Sequence, residues 1–327
     1  MTAYVIRRLI WYPVLLLAVT SLTLALGLYG PGDPAQVYLG KHNDPETVAR
    51  LRQEWGLDQP FQVQLAKYIV DALQGDFRES LVIFPGQKVT DLIIGRMGTT
   101  LKINALALAL GILIGVPLGV FAAVKHNRPF DKFVSFGVVA AFSIPSFALA
   151  PILLWIFARE LPLRSVALLG VKLGLPAGGW PVGGGWDDIF STSAVLPMVV
   201  LSPAYIAIFA RQTRAGMIEA LGQDFIRTAR AKGLRENLVV MRHAFRNALM
   251  PLVTIFGLAL AGVITGAFIV ESIFGIPGVG SLTLTALGQR DYPVILAVTI
   301  MTAVAYITLN LIVDIAYQFI DPRIRYQ

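Results

Sequence analysis

Six runs of apolar sequence, each near the length needed to cross a lipid bilayer, limit what this chain can fold into. A hydrocarbon core about 30 Å thick is spanned by roughly 20 apolar residues in an α-helix. The runs Leu9–Leu28, Thr99–Val124, Phe133–Ala158, Ala194–Phe209, Ala248–Val270 and Pro293–Ile320 reach or approach that length, the fourth being the shortest. Backbone polar groups cannot stay unpaired in lipid, so a spanning segment is either a helix or a strand of a closed barrel. No long period-two alternation of the barrel kind appears, so the expected fold is all-α and integral to the membrane, with six transmembrane helices. Composition agrees: 56% of the 327 residues are hydrophobic and 14% charged, with a mean hydropathy of +0.68, outside the range of ordinary soluble domains.

The net charge of +7 would suit a nucleic-acid binder, but its placement reads instead as membrane topology. With Met1 inside, the inner segments are 1–8, 125–132, 210–247 and 321–327. They hold Arg7, Arg8, Lys125, Arg128, Lys132, eight basic residues from Arg211 to Arg246, Arg323 and Arg325. The acidic residues gather in 33–91. The lysine and arginine bias therefore predicts both termini in the cytoplasm and no nucleic-acid partner. Arg7 and Arg8 ahead of an apolar run resemble a signal peptide, but the run is long and lacks a small-residue cleavage site, so 1–28 is read as a retained first helix. The absence of cysteine excludes disulfides, thiolate metal sites and thiol nucleophiles.

Residues 29–95 form a polar stretch with turn signals at Pro31-Gly32-Asp33-Pro34, Asp44-Pro45 and Pro85-Gly86, and are expected to make a small extracytoplasmic module. Asp44 as N-cap, Pro45 in the first turn and Gly56 near the end predict a helix over Pro45–Leu57, with a second over Gln62–Leu73. The glycine-rich stretch Leu161–Ser191 places Trp180 and Trp186 where tryptophan commonly anchors in the headgroup layer. The segment 210–247 holds a short helix marked at both ends. Asp224 meets its positive pole, Arg227, Arg230 and Lys232 crowd its negative pole, and Gly233 offers a left-handed cap. Phe225, Ile226 and Ala229 give it an apolar stripe, which needs a partner in the chain's own helix ends or in a groove on another protein.

The order Arg227-Thr228-Ala229, then Gly233, then His243 resembles the coupling motif of ABC-importer permeases. Arg227 takes the place of that motif's glutamate, His243-Ala244-Phe245-Arg246 that of its Ile-x-Leu-Pro, and the nearest proline is Pro251. The full strings Asp224–Gly233 and Arg242–Ala248 are similar to the version in dipeptide and oligopeptide permeases. So are Pro31–Ala35, Gly56–Pro60, Gly75–Phe77, Ser143–Phe147, Val270–Gly280 and Asp321–Tyr326, which together span nearly the whole chain. Nickel, glutathione and oligosaccharide importers share these segments.

The resemblance implies the type I ABC-importer permease architecture, with 96–320 as the transmembrane domain, and a place as the first permease of an unlike pair in a prokaryotic inner membrane. It also implies a second homologous permease, two cytoplasmic ATPases that hold ATP and Mg, and an extracytoplasmic substrate-binding protein as partners. This chain would then be a non-catalytic subunit with no cofactor of its own. Consistent with that, no G-x-x-x-x-G-K-[ST] phosphate loop occurs. The family role assigns Asp224, Phe225, Ile226, Arg227, Ala229, Gly233 and His243 to coupling with the ATPase.

Polar residues within apolar helices are gate or pore candidates. Asn104 is expected to bond between helices. Glu271, at the outer end of the fifth run, either anchors that helix end or meets a peptide's amino terminus. Asn310 and Asp314 share a face of the last helix, where Asp314 either pairs with a cytoplasmic arginine such as Arg246 or latches a gate. A proton-driven secondary transporter would need Glu271, Asp314 or His243 as a relay, but these lie toward helix ends rather than at the midplane. The histidines at 42, 126 and 243 sit in separate loops and make no hydrolase constellation.

Overall fold

The computed structural model describes residues 2–30, 34–39, 44–157, 175–176, 178–181, 190–265 and 267–320. The tail 321–327, the turn residues Pro31-Gly32-Asp33, Trp186 and the side chain of Asp314 lie outside the described residues. Among the described residues the architecture is helical. Helix α1 (Thr2–Tyr29) is followed by α2 (Pro34–Leu39), α3 (Pro45–Trp55), α4 (Phe61–Leu73) and α5 (Val89–Val124). Then come α6 (Pro129–Ser143), α7 (Ser146–Phe157), α8 (Thr192–Leu221), α9 (Asp224–Ala231) and α10 (Glu236–Leu238). A π-turn (Val239–Ala244) leads into α11 (Phe245–Thr265), and α12 (Phe268–Ile273), α13 (Val279–Gln289) and α14 (Tyr292–Ile320) complete the chain. Among the described residues, five helices are long and apolar enough to span a membrane, and the bent pair α6–α7 makes up to six.

Three apolar runs differ from their expected shape. The third is not one helix, because α6 and α7 meet at 95°. Pro145 pushes Ile144 to φ −87°, ψ 115° and supplies no amide, so the helix stops and restarts. The fifth run breaks between Thr265 and Phe268. The fourth extends well past Phe209, since α8 runs to Leu221, carrying Arg211 and Arg214 out on a helix whose apolar stretch has already ended. The helix that carries the second run begins ten residues ahead of it, at Val89.

Helices α5 and α8 form the centre. Gly111, Gly115 and Gly119 lie one turn apart on α5 and press against α8. A Cβ on Gly115 would lie 2.7 Å from the Ile206 carbonyl oxygen, and one on Gly119 would lie 2.5 Å from that of Ala210. Only hydrogen fits there, which is how small residues bring helix backbones together where lipid supplies no hydrophobic drive between helices. Residues 61–84 pack over the start of α5 and the adjoining ends of α1, α13 and α14, where Tyr68 and Phe77 join Leu24, Val89, Leu282 and Leu296 in one cluster. The caps of α3 form as the sequence indicates. The Asp44 carboxylate accepts from the Thr47 amide at 3.2 Å, and Gly56 adopts φ +67°. Trp180 is buried in the cluster of α7, α8 and α12 rather than placed at a lipid surface, a correction to the expected headgroup anchor. Helix α9 sits at the far end of α5, about 54 Å of helix away from the module.

Candidate functional site

Helix α9 begins directly after α8, and its two apolar positions three apart turn inward. Ile226 is fully buried and Ala229 nearly so, packed with Val239, Val240 and Ala244 of the π-turn, Met217 and Ala220 of α8, and Val120 and Ala123 of α5. Burying the Ile226 side chain alone contributes about 2 kcal/mol. Phe225, one residue round the helix, is 41% exposed, and Asp224, Arg227 and Thr228 continue the outward face. The three-residue stripe thus divides. Two members seat the helix on its own chain, and the third borders a face open to another molecule.

The segment after α9 holds it in place. Gly233 takes φ +72°, so its amide reaches the Arg230 carbonyl at 2.9 Å, the left-handed cap read from the sequence. Arg230 donates to both Glu236 oxygens, at 2.7 and 3.2 Å, and the Glu236 carboxylate raises the pKa of this guanidinium further. The pair is half exposed, so it contributes at most about 1 kcal/mol but fixes where the loop turns. In the π-turn the consecutive Val239 and Val240 are both buried in the cluster that holds Ile226 and Ala229. His243 lies on that turn, half-buried, and its carbonyl accepts from the Asn247 side-chain Nδ2 at 2.7 Å.

A second feature of this end escaped the sequence reading. Asp131, in the first turn of α6, is buried and receives both Arg214 Nε (2.5 Å) and Arg214 Nη2 (2.8 Å) from α8, together with the Asn127 amide at 2.9 Å. His126 Nδ1 lies 3.4 Å from the same carboxylate. The fork binds α6 to α8 about two turns before the end of α8. Its partners are 83 positions apart, so only a charged residue persisting beyond an apolar run hinted at it.

At the module end, the gate candidates Glu271 and Asn104 already have partners. Glu271 is fully buried; one oxygen accepts from Thr100 Oγ1 at 3.0 Å and the other from the Ser281 amide at 3.0 Å, while Thr100 Oγ1 itself accepts from the Val279 amide at 2.8 Å. Gly278 and Gly280 lie so close to this carboxylate that neither has room for a Cβ. Glu271 therefore anchors the start of α13 to α5 and is closed to a peptide's amino terminus. Asn104 is also buried and donates to the Thr100 carbonyl at 2.9 Å, a bond within its own helix; no bond from its side chain to another helix is seen among the described residues. Asn310 is half-buried on α14.

Asp291, absent from the sequence-based candidates, is fully buried between α13 and α14. Its carboxylate accepts from Ser80 Oγ (2.5 Å) and from the amides of Leu81 (3.3 Å), Val82 (3.1 Å) and Ile83 (3.0 Å). Successive amides converging on one anion form a backbone nest, here joining the module's loop to the membrane helices. Each of these carboxylates is held by fixed donors, an arrangement suited to transmitting position between elements.

With this geometry in view, comparison with known proteins is specific. Residues 115–326 match the family described as binding-protein-dependent transport system inner membrane component, and residues 1–104 match the N-terminal region described for the same membrane components. The chain is 37% identical over its full length to the whole of the oligopeptide transport system permease protein AppB of Bacillus subtilis. It is 36% identical, again over 100% of both chains, to the glutathione transport system permease protein GsiC of Salmonella typhimurium, and 35% identical to the dipeptide transport system permease protein DppB of Alkalihalophilus pseudofirmus. A solved inward-facing structure of the MetNI methionine ABC transporter matches with a TM-score of 0.50 at 20% identity, covering 70% of this chain and 94% of that one. That likeness supports the fold.

Proposed function

This chain belongs to the family of binding-protein-dependent transport system inner membrane components, a non-catalytic permease subunit of an ABC transporter, and from that premise we propose that it forms half of a pore importing short peptides. Its partners include the transporter's ATPase and substrate-binding components. In the finer reading, a second homologous permease completes the pore and two cytoplasmic ATPases hold ATP and Mg. Peptide-like cargo is favoured by the oligopeptide and dipeptide permeases among its full-length relatives. The glutathione permease is compatible, since glutathione is a tripeptide. The protein is a multi-pass component of the inner membrane, and the basic segments favour both termini inside.

The observation that carries the mechanism is the two-faced α9. Its inner face seats the helix on α8, the π-turn and α5, and its outer face, with Phe225 and Arg227, is free to dock on an ATPase. A helix so seated moves as one piece with α8, and ATPase closure would then displace α8 and α11 together. Asp224, Arg227 and Gly233 serve as the charged edge and cap of that helix, and His243 as part of its support. The test is reconstitution with the partner subunits in liposomes. ATP-dependent, binding-protein-dependent uptake of a labelled tripeptide is expected, and Phe225→Glu should abolish it while leaving membrane insertion intact. Uptake driven by a proton gradient without ATPase would contradict this function.

A further inference from the structure

Between the module and the membrane helices lies a cavity of about 430 Å³. One wall is apolar, formed by Leu24 and Leu28 of α1 and Leu296 of α14. The opposite wall carries charges of both signs, with Lys67, Arg78 and Lys88 against Glu54, Asp76 and Glu79. Tyr68 also lines it. This residue is 1% exposed, and its hydroxyl has no hydrogen-bond partner among the described residues. Burial pushes the Tyr68 phenol up, so the hydroxyl stays protonated and available as a donor. The Arg78 guanidinium lies over the same ring, 5.7 Å from its centroid, bringing a cation beside that donor.

The position of the apolar wall narrows the ligand. Leu24 and Leu28 belong to the last turns of the α1 span, at headgroup depth on the module side. Their neighbours Leu22, Leu26 and Tyr29, on the opposite side of α1, are 64%, 63% and 73% exposed, so at this depth the helix has one side turned to the cavity and one side open. A ligand matching both walls has an apolar stem and a head bearing one anionic and one cationic group. Equal numbers of acids and bases disfavour a purely anionic head. A free peptide also offers both charges, and the place of the leucine wall at the end of a membrane-spanning helix is what favours a lipid over it.

We propose that this cavity is a phospholipid site, taking a zwitterionic headgroup of the phosphatidylethanolamine kind from the leaflet on the module side. The phosphate sits toward Tyr68, Arg78 and Lys88, the ammonium toward Glu54 and Glu79, and an acyl chain lies along Leu28. The site joins the module to α1 and α14 through lipid, so the module's seating depends on the membrane around it.

Native mass spectrometry of the full chain released from nanodiscs containing equal phosphatidylethanolamine and phosphatidylglycerol tests this. The wild type should retain one phosphatidylethanolamine in preference to phosphatidylglycerol. Tyr68→Phe, which keeps the ring and removes one hydrogen bond to a charged group, should lower that retention about tenfold. Leu28→Trp should fill the cavity and abolish it, whereas Leu26→Trp on the exposed side of α1 should leave it unchanged. Equal retention of both lipids, or no response to Tyr68→Phe, would overturn the proposal. Displacement of the retained lipid by millimolar tripeptide would also overturn it, reassigning the cavity to a water-soluble ligand.

Discussion

Asp291 shows what single residues do in this molecule. Its side chain meets four donors, all on the module loop, and nothing else described holds that loop to the junction of α13 and α14 so directly. Asp291→Ala would leave a hydroxyl and three amides short of an acceptor, with an expected local cost of about 2–4 kcal/mol. The measurement is limited proteolysis around Arg78 and Lys88, which should become cleavable while the spanning helices stay protected. Glu271 makes the same point in reverse. A lone carboxylate at a helix end reads as a pore residue because sequence shows the charge and hides the donors. The usable clue was the Gly278-Val279-Gly280 spacing, which gives a carboxylate room against two backbones.

At the scale of elements, the α5–α8 seam predicts a contrast between glycines of identical type. Gly119→Val would drive a side chain into the Ala210 carbonyl and Thr213, at an expected cost of about 3 kcal/mol, whereas Gly137→Val on α6 meets nothing within 4 Å. Folded yield in detergent should fall for the first and hold for the second. Similarly, Ala229→Glu would place a carboxylate among Met217, Val239 and Ala244, dislodging α9 from its own chain, so that the backbone at the already exposed Arg230 and Lys232 loosens and becomes cleavable by trypsin. Much at this scale was legible: the caps of α3, the ends of α9 and the module helices follow from short-range chemistry that a sequence displays. Less legible were the bend at Pro145, the overrun of α8 past Phe209 and the Asp131–Arg214 fork. The apolar runs show where lipid begins and ends, but the course of a helix outside it depends on partners tens of residues away.

Considered whole, the molecule is a pair of close-packed helices with polar fasteners at both ends. Asp131 and Arg214 join α6 to α8 near α9, and Glu271 and Asp291 join α12, α13, α14 and the module at the other end. A displacement applied at α9 therefore reaches the module side through connected backbone. For the orientation we propose, reporters fused after Lys132, Arg235 and Gln327 should register cytoplasm and one at Lys67 the opposite side. The central claim, that α9 presents one edge to the ATPase and seats the other at home, is open to a direct measurement because the chain has no cysteine. Single cysteines at Phe225 and Ile226, in the assembled transporter with a photoreactive or bis-maleimide probe, report each edge separately. Phe225→Cys should crosslink to the ATPase subunit and change in yield when ATP is added, and Ile226→Cys should not. Crosslinking of Ile226→Cys at equal yield, or its absence at Phe225→Cys in a transporter still active for uptake, would contradict the account.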